Sequence, residues 1–214
     1  MKFAIFGVNQ AVGHKAAQIA IERNHQVTAL ITGSLSHAPF DISSNTNISW
    51  VVGDVTHAED IQKTIKHCDG VFASLYDEPN TEYSNLSFVK KVIPLMTKNQ
   101  KLVIVGHVGV GRSYAIQKAA AKIIIRVVLK EPMADESGME EFLKQYLPND
   151  FIVLRAQLLQ NGMMDLVNVK ILDDASGSIF GRTKKEDLAG VAMQIFEGKR
   201  RDVVWGNIVC VDSG

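Results

Sequence analysis

Short apolar runs alternate with longer stretches of helical periodicity along this chain. The opening run Phe3–Phe6 is apolar throughout, as expected of a strand buried on both faces of a parallel sheet. From Ala11 the spacing becomes helical, and Ala16, Ala17, Ile19, Ala20 and Ile21 supply an apolar face. Arg23-Asn24-His25 marks the end of that helix, and Gln26–Thr32 reads as a second buried strand. Further strands are predicted at Ile48–Val52, Val71–Leu75, Lys101–Val105, Phe151–Arg155 and Asn207–Val211, with a polar loop over Ala38–Asn47. Helices are predicted over Ala58–His67, over Ser84–Thr97 with Pro94 kinking or shortening it, and over Lys184–Phe196. Thr56 with Glu59, and Ser137 with Glu140, have the spacing of capping boxes that open helices. Ser113–Lys130 reads as one long helix closed by Pro132. Its apolar residues on several faces predict burial against another helix or a second subunit, so a homodimer is one expected assembly.

Alternating short strands and longer helices predict the α/β class, with a doubly wound parallel sheet and a small C-terminal extension on the substrate side. The length of 214 residues suits a single domain spanning residues 1–214. In such a sheet a ligand lies outside the carboxyl ends of the strands. That rule gathers Gly7–Gly13, Thr32–His37, Gly53-Asp54, Ser74–Tyr76 and Gly106–Gly111 around one crevice.

Within this crevice the first turn carries the most specific chemistry. A strand, a glycine-bounded turn and a helix start together make a phosphate site, because the first helical amides lack partners and carry partial positive charge. Gly7 permits the tight turn and Gly13 a close approach of helix to sheet; Gln10 stands where a third glycine is usual. After the second strand an acid would bind a ribose 2′-hydroxyl, and a base would favour a 2′-phosphate. The chain offers neither, only Thr32, Gly33, Ser34, Ser36 and His37, which leans towards NADP over NAD.

Composition narrows the partners. Basic and acidic residues balance at 23 each, so no global field recruits nucleic acid or an anionic membrane. The apolar run Ala119–Leu129 is interrupted by Lys122 and Arg126 and is too short to span a bilayer. With no evident secretory signal, the expected location is cytoplasmic. Cys68 and Cys210 read as small core residues, and His14, His25, His37, His57 and His67 show no metal-ligand spacing.

With these elements placed, the chain resembles the NmrA-like, atypical short-chain dehydrogenase/reductase group, including its biliverdin-IXβ and flavin reductase-like members. The resemblance runs through Phe3-Ala4-Ile5-Phe6-Gly7 and Gly13, Val52-Gly53-Asp54, Asp69-Gly70-Val71, Leu102–Gly109, Phe151–Arg155, and Gly181-Arg182 with Glu186-Asp187-Leu188-Ala189. It implies a Rossmann-like domain binding NADP or NAD. By that resemblance Gly7, Gln10, Val12 and Gly13 lie along the pyrophosphate and Asp54 approaches the adenine. Ser74 and Leu75 pass beside the ribose, and Gly106 and His107 flank the nicotinamide. Gly106-His107 stands where many relatives carry Ser or Thr.

Candidate chemical residues are few. Tyr114 and Lys118 match the Y-x-x-x-K pair of short-chain dehydrogenases, in which one helical turn brings phenol and ammonium together. The plainer reading is an amphipathic helix start with a solvated lysine. His107 is either a proton donor to a substrate oxygen or a cap on strand-end backbone groups. Arg112 reads as a solvated loop residue or as a holder of an anionic substrate or cofactor phosphate, Met163 and Met164 as core or an apolar pocket wall, and Arg155 and Arg182 as structural ion-pair formers. The expected function is hydride transfer between a nicotinamide cofactor and a small flat acceptor of flavin, quinone or carbonyl type. The alternative is a dinucleotide-binding redox sensor or interaction module without turnover.

Overall fold

In a computed structural model of the chain, residues 1–75, 84–127 and 129–214 are described. The first half alternates strand and helix: β1 (Lys2–Phe6), α1 (Ala11–Glu22), β2 (Gln26–Ile31), α2 (Phe40–Ser43), β3 (Ile48–Val52), α3 (Ala58–Ile65), β4 (Gly70–Ala73), α4 (Asn85–Val92) and β5 (Lys101–His107). Then come α5 (Gly111–Ala115), α6 (Ala119–Val127), α7 (Lys130–Tyr146), β6 (Phe151–Ala156), β7 (Leu158–Gln160), β8 (Lys170–Leu172), β9 (Arg182–Lys184), α8 (Lys185–Phe196) and β10 (Asn207–Asp212). Among the described residues, eight strands form one sheet in the order β3-β2-β1-β4-β5-β6-β10-β8, parallel except for β8. The expected doubly wound sheet is present. Its order reverses between β1 and β4, the position where such sheets open a ligand crevice.

Strand side chains alternate between two cores. Phe3 and Ile5 face the layer containing Ala16, Ile19, Ala20, Leu188 and Met193 of α1 and α8. Ala4 and Phe6 face Ile61, Ile65, Phe88, Met139 and Leu143 of α3, α4 and α7. Burial on both faces explains why the strands read as unbroken apolar runs. The extension is an insertion between β6 and α8 rather than a tail. In it β7 pairs with β9, while β8 adds antiparallel to β10.

Three local expectations are corrected. Residues 113–130 do not form one helix. α5 ends at Ala115, and the break before α6 is held by Gln117, whose amide donates to the Ser113 and Gly177 carbonyls and accepts from the Ile179 N–H. Pro132 lies in the first turn of α7, where its missing N–H costs no helical bond; Val128 lies outside the described residues. Ser137 and Glu140 sit inside α7 and open nothing, because Glu140 is turned into the core towards Arg155. Thr56 does not cap α3 either. Its N–H is bound by Asp54 Oδ1 at 2.7 Å, and His57 takes the cap position. Ser84 does cap α4, its hydroxyl accepting the Ser87 N–H at 3.0 Å. Pro94 falls in a single 3₁₀ turn, Ile93–Leu95, that ends this segment.

Candidate functional site

The turn from β1 into α1 leaves no room for side chains at two points. Gly7 has φ of +83°, and a Cβ on it would stand 1.8 Å from the Ser74 carbonyl oxygen, because the end of β4 passes directly beside it. A Cβ on Gly13 would stand 2.0 Å from the Gly7 oxygen, so α1 is seated on the turn itself. Gln10 is the N-cap of α1, in extended backbone, with its N–H bonded to the Gly7 carbonyl at 2.9 Å. That conformation suits any residue, which is how glutamine is accommodated where glycine is usual. The first bond of the helical ladder runs from His14 N–H to the Gln10 carbonyl at 2.8 Å. The first-turn amides, including those of Val12 and Gly13, precede it.

This turn opens into a cleft of about 200 Å³ between the carboxyl ends of β1, β2 and β4. Residues 7–10 form its floor, and Leu30, Thr32, Val55 and Leu75 its walls. Ser74 is fully buried behind it, its N–H donated to the Phe6 carbonyl. Tyr76, the last residue of the expected crevice segment here, lies outside the described residues.

Beyond the cleft, the segment after β2 folds on itself. Ser34 Oγ accepts the Ser36 N–H at 3.3 Å, and His37 Nδ1 lies 3.2 Å from the Thr32 carbonyl oxygen. The sequence reading stopped at His37 and missed Asp41 on α2. The Asp41 carboxylate sits 2.9 and 3.0 Å from His14 Nε2 and also takes a hydrogen bond from Gln18. Asp54, after β3, closes its own turn by accepting the Thr56 N–H. That backbone hydrogen bond holds its carboxyl below the ordinary carboxylate value.

At the end of β5, Gly106 and His107 belong to the strand, paired with Arg155 and Ala156 of β6. His107 Nδ1 lies 3.3 Å from Glu136 Oε1, and Asn85 Nδ2 donates to the same oxygen at 2.9 Å. Neither Glu136 nor Asn85 was singled out from sequence. They lie 29 and 22 positions from His107, on different helices, and no local pattern links them. The single helical turn that the Tyr114–Lys118 motif presumes is not continuous. Lys118 follows the end of α5, and the Tyr114 hydroxyl instead accepts from Arg126 Nε at 2.6 Å. Arg112 pairs with Asp174 at 2.8 Å, and Arg155 forms a buried ion pair. Met163 and Met164 are exposed rather than core. Both cysteines are buried, and burial pushes the Cys210 thiol up to about 12.

A family profile described as NAD(P)H-binding matches residues 7–199. The chain belongs to that NAD(P)H-binding family. A search of curated proteins finds no match to this family member. Among solved structures it is similar to a short-chain dehydrogenase/reductase of Veillonella parvula (TM-score 0.78, 13% identity, covering 99% of this chain and 93% of the other). It is similar to a second short-chain dehydrogenase/reductase of that organism, in complex with NADP (TM-score 0.76, 14% identity, 99% and 94% covered). It is likewise similar to the anaerobilin reductase ChuY of Escherichia coli O157:H7 (TM-score 0.76, 14% identity, 99% and 97% covered).

The residues present suit the family's ligand. The cleft floor is a helix N-terminus, no carboxylate lines the cleft among the described residues, and Leu30, Val55 and Leu75 offer an apolar wall to a flat base. Among the described residues of this NAD(P)H-binding chain, no helix is long and apolar enough to cross a membrane.

Proposed function

We propose that the chain is an NAD(P)-dependent oxidoreductase of the NmrA-like, atypical short-chain dehydrogenase/reductase kind. It acts as one domain over residues 1–214 in the cytoplasm and reduces a small flat acceptor of flavin, quinone or carbonyl type. The observation that carries this reading is the cleft at the sheet's reversal point, floored by a turn too tight for a side chain at Gly7 or Gly13. In this reading the first-turn amides of α1, with Gly7, Gln10, Val12 and Gly13, hold the diphosphate. Asp54 meets the adenine, and Ser74 and Leu75 line the ribose. Gly106 and His107 face the nicotinamide, roughly 10 Å from β1 across two strand spacings. When bound, the reduced dinucleotide supplies hydride. The protein's task is to hold an acceptor against it and to exclude water.

NADP is the favoured cofactor. Thr32 and Ser34 follow β2 without an acid, and the acid further on, Asp41, is engaged by His14 and Gln18. The exposed Ile123 and Val127 of α6 support pairing with a second copy. A non-catalytic redox sensor is the second reading, favoured by the bond of the Tyr114 hydroxyl to Arg126. Calorimetry with NADPH and NADH, beside oxidation assays with flavin mononucleotide, menadione and conjugated aldehydes, separates the two. Binding with turnover supports the enzyme, binding alone supports the sensor, and no binding removes both.

A further inference from the structure

The end of β5 carries a buried arrangement that packing alone does not account for. The Glu136 side chain is 2% exposed, yet its Oε2 has no hydrogen-bond partner among the described residues, and neither has Asn85 Oδ1. Gly106 makes the space. A Cβ there would stand 2.7 Å from Glu136 Oε2 and 2.9 Å from a methyl of Val153. A buried carboxyl group with an unmet oxygen is costly, and an amide or apolar side chain of similar volume would fill the site at less cost.

The surrounding charges are committed elsewhere. Asp135, beside it on α7, binds Ser84 and the amides of Asn85 and Leu86 at the start of α4. Glu140, one turn on, is held by Arg155 of β6. Among the described residues, the titratable group hydrogen-bonded to Glu136 is His107, whose side chain is 27% exposed at the ligand end of the sheet. Glu140 also acts on Glu136 through like-charge repulsion.

We infer that Glu136 is a positioning residue for His107, and that the pair delivers the proton to an acceptor whose reduction leaves an electron pair on a carbonyl oxygen or an imine nitrogen. This rests on the oxidoreductase reading and narrows its substrate class to conjugated aldehydes, ketones and imines. Their strongly basic reduced heteroatom needs a proton donor, whereas the weakly basic reduced anions of quinones and flavins take theirs from water. Asn85 Nδ2 steadies the carboxylate, and Oε1 accepts the Nδ1–H of His107, fixing the ring so that the second proton of its imidazolium form sits on Nε2. The other nitrogen, Nε2, then carries the proton to be given. Hydride from the reduced dinucleotide forms the new C–H bond, and the π pair of the C=O or C=N bond moves to the heteroatom. The Nε2–H bond breaks as the O–H or N–H bond forms. The dinucleotide is oxidised by two electrons, the acceptor is reduced by two, and the imidazole regains its proton from solvent.

The test combines kinetics with a spectroscopic readout. NADPH oxidation is followed with menadione and with cinnamaldehyde for the wild type, His107→Gln and Glu136→Gln, each checked for folding by its thermal shift with NADPH. In parallel, long-range ¹H–¹⁵N spectra report which ring nitrogen of His107 is protonated in the neutral wild-type protein. The expected result is turnover of the aldehyde, with kcat at least tenfold lower in both variants, KM within about twofold, and the wild-type ring protonated on Nδ1. Aldehyde kcat in Glu136→Gln within twofold of wild type, or a wild-type ring protonated on Nε2, overturns the inference. The ring measurement decides the matter even if Glu136→Gln fails to fold. Turnover of menadione but not the aldehyde overturns this inference and spares the broader reading. No turnover of any acceptor removes both.

Discussion

Arg155 and Glu140 form a buried two-pronged pair, with Nε and Nη2 of the guanidinium each 2.8 Å from a carboxylate oxygen. The third guanidinium nitrogen, Nη1, donates to the Asp174 carbonyl at 2.6 Å. One side chain thereby ties β6 to α7 and to the insertion between β6 and α8. Burial pushes the Glu140 carboxyl up, and the arginine pulls against it. Removing one partner strands the other charge in the core. Arg155→Leu is therefore expected to cost about 3–5 kcal/mol. The double variant Arg155→Leu with Glu140→Leu is expected to recover a large part of that loss, measured by urea unfolding.

Gly13→Ala is expected to cost about 3 kcal/mol or more, because the new methyl meets backbone rather than a movable side chain. Displacing α1 from the turn also disturbs the cleft floor. Thermal melts with and without NADPH check both effects: a lower Tm, and a smaller upward shift on adding the dinucleotide.

Gln10→Gly probes the departure from the three-glycine pattern. The Gln10 backbone needs no glycine, and glycine is tolerated at an N-cap, so stability is expected to change by less than about 1 kcal/mol. Removing the side chain clears the cleft floor, and NADPH affinity measured by calorimetry is expected to rise by up to tenfold, about 1.4 kcal/mol. Unchanged affinity would show that the glutamine already swings clear of the diphosphate.

Glu197 supplies an acid-side prediction. It is bonded to Arg23 at 3.0 Å, His25 at 2.9 Å and Lys199 at 2.8 Å, joining the end of α8 to the end of α1. Burial works to raise its carboxyl, but the hydrogen bonds of Lys199 and His25, with the charge of Arg23, hold it below the ordinary value of 4.5. A depressed acid stabilises the fold fully above its unfolded value, and that contribution is lost as pH falls through the folded one. Glu197→Gln is thus expected to lower Tm at pH 7 and to match wild type progressively as pH is taken from about 4.5 to 3. A Tm gap unchanged over that range would exclude the carboxylate as its source.

The Phe3–Phe6 run, the glycines at 7 and 13, and the strands Ile48–Val52 and Lys101–Val105 were legible because their causes are local. A strand covered on both faces must be apolar along its length, and a turn that presses one backbone against another must lack Cβ. The strand ends were less legible. β5 continues through Gly106 and His107 because β6 offers partners at Arg155 and Ala156, a fact about a neighbour more than 40 residues away.

The sequence by itself determined the order of the sheet strands β1 to β6 and β10 with helices α1, α3, α4 and α8. It also determined the crevice at the strands' carboxyl ends and the glycine turn that floors it. Each follows from side-chain periodicity or from backbone sterics within a few residues. Neither α2, which replaces part of the expected loop 38–47, nor β7 to β9 was determined in that way. Only the tertiary structure decided that α5 stops at Ala115, that Tyr114 meets Arg126 rather than Lys118, and that His107 rests on Glu136. Those outcomes depend on which distant groups packing brings within 3–4 Å, and hydrogen bonds at that range leave no periodic trace in the chain.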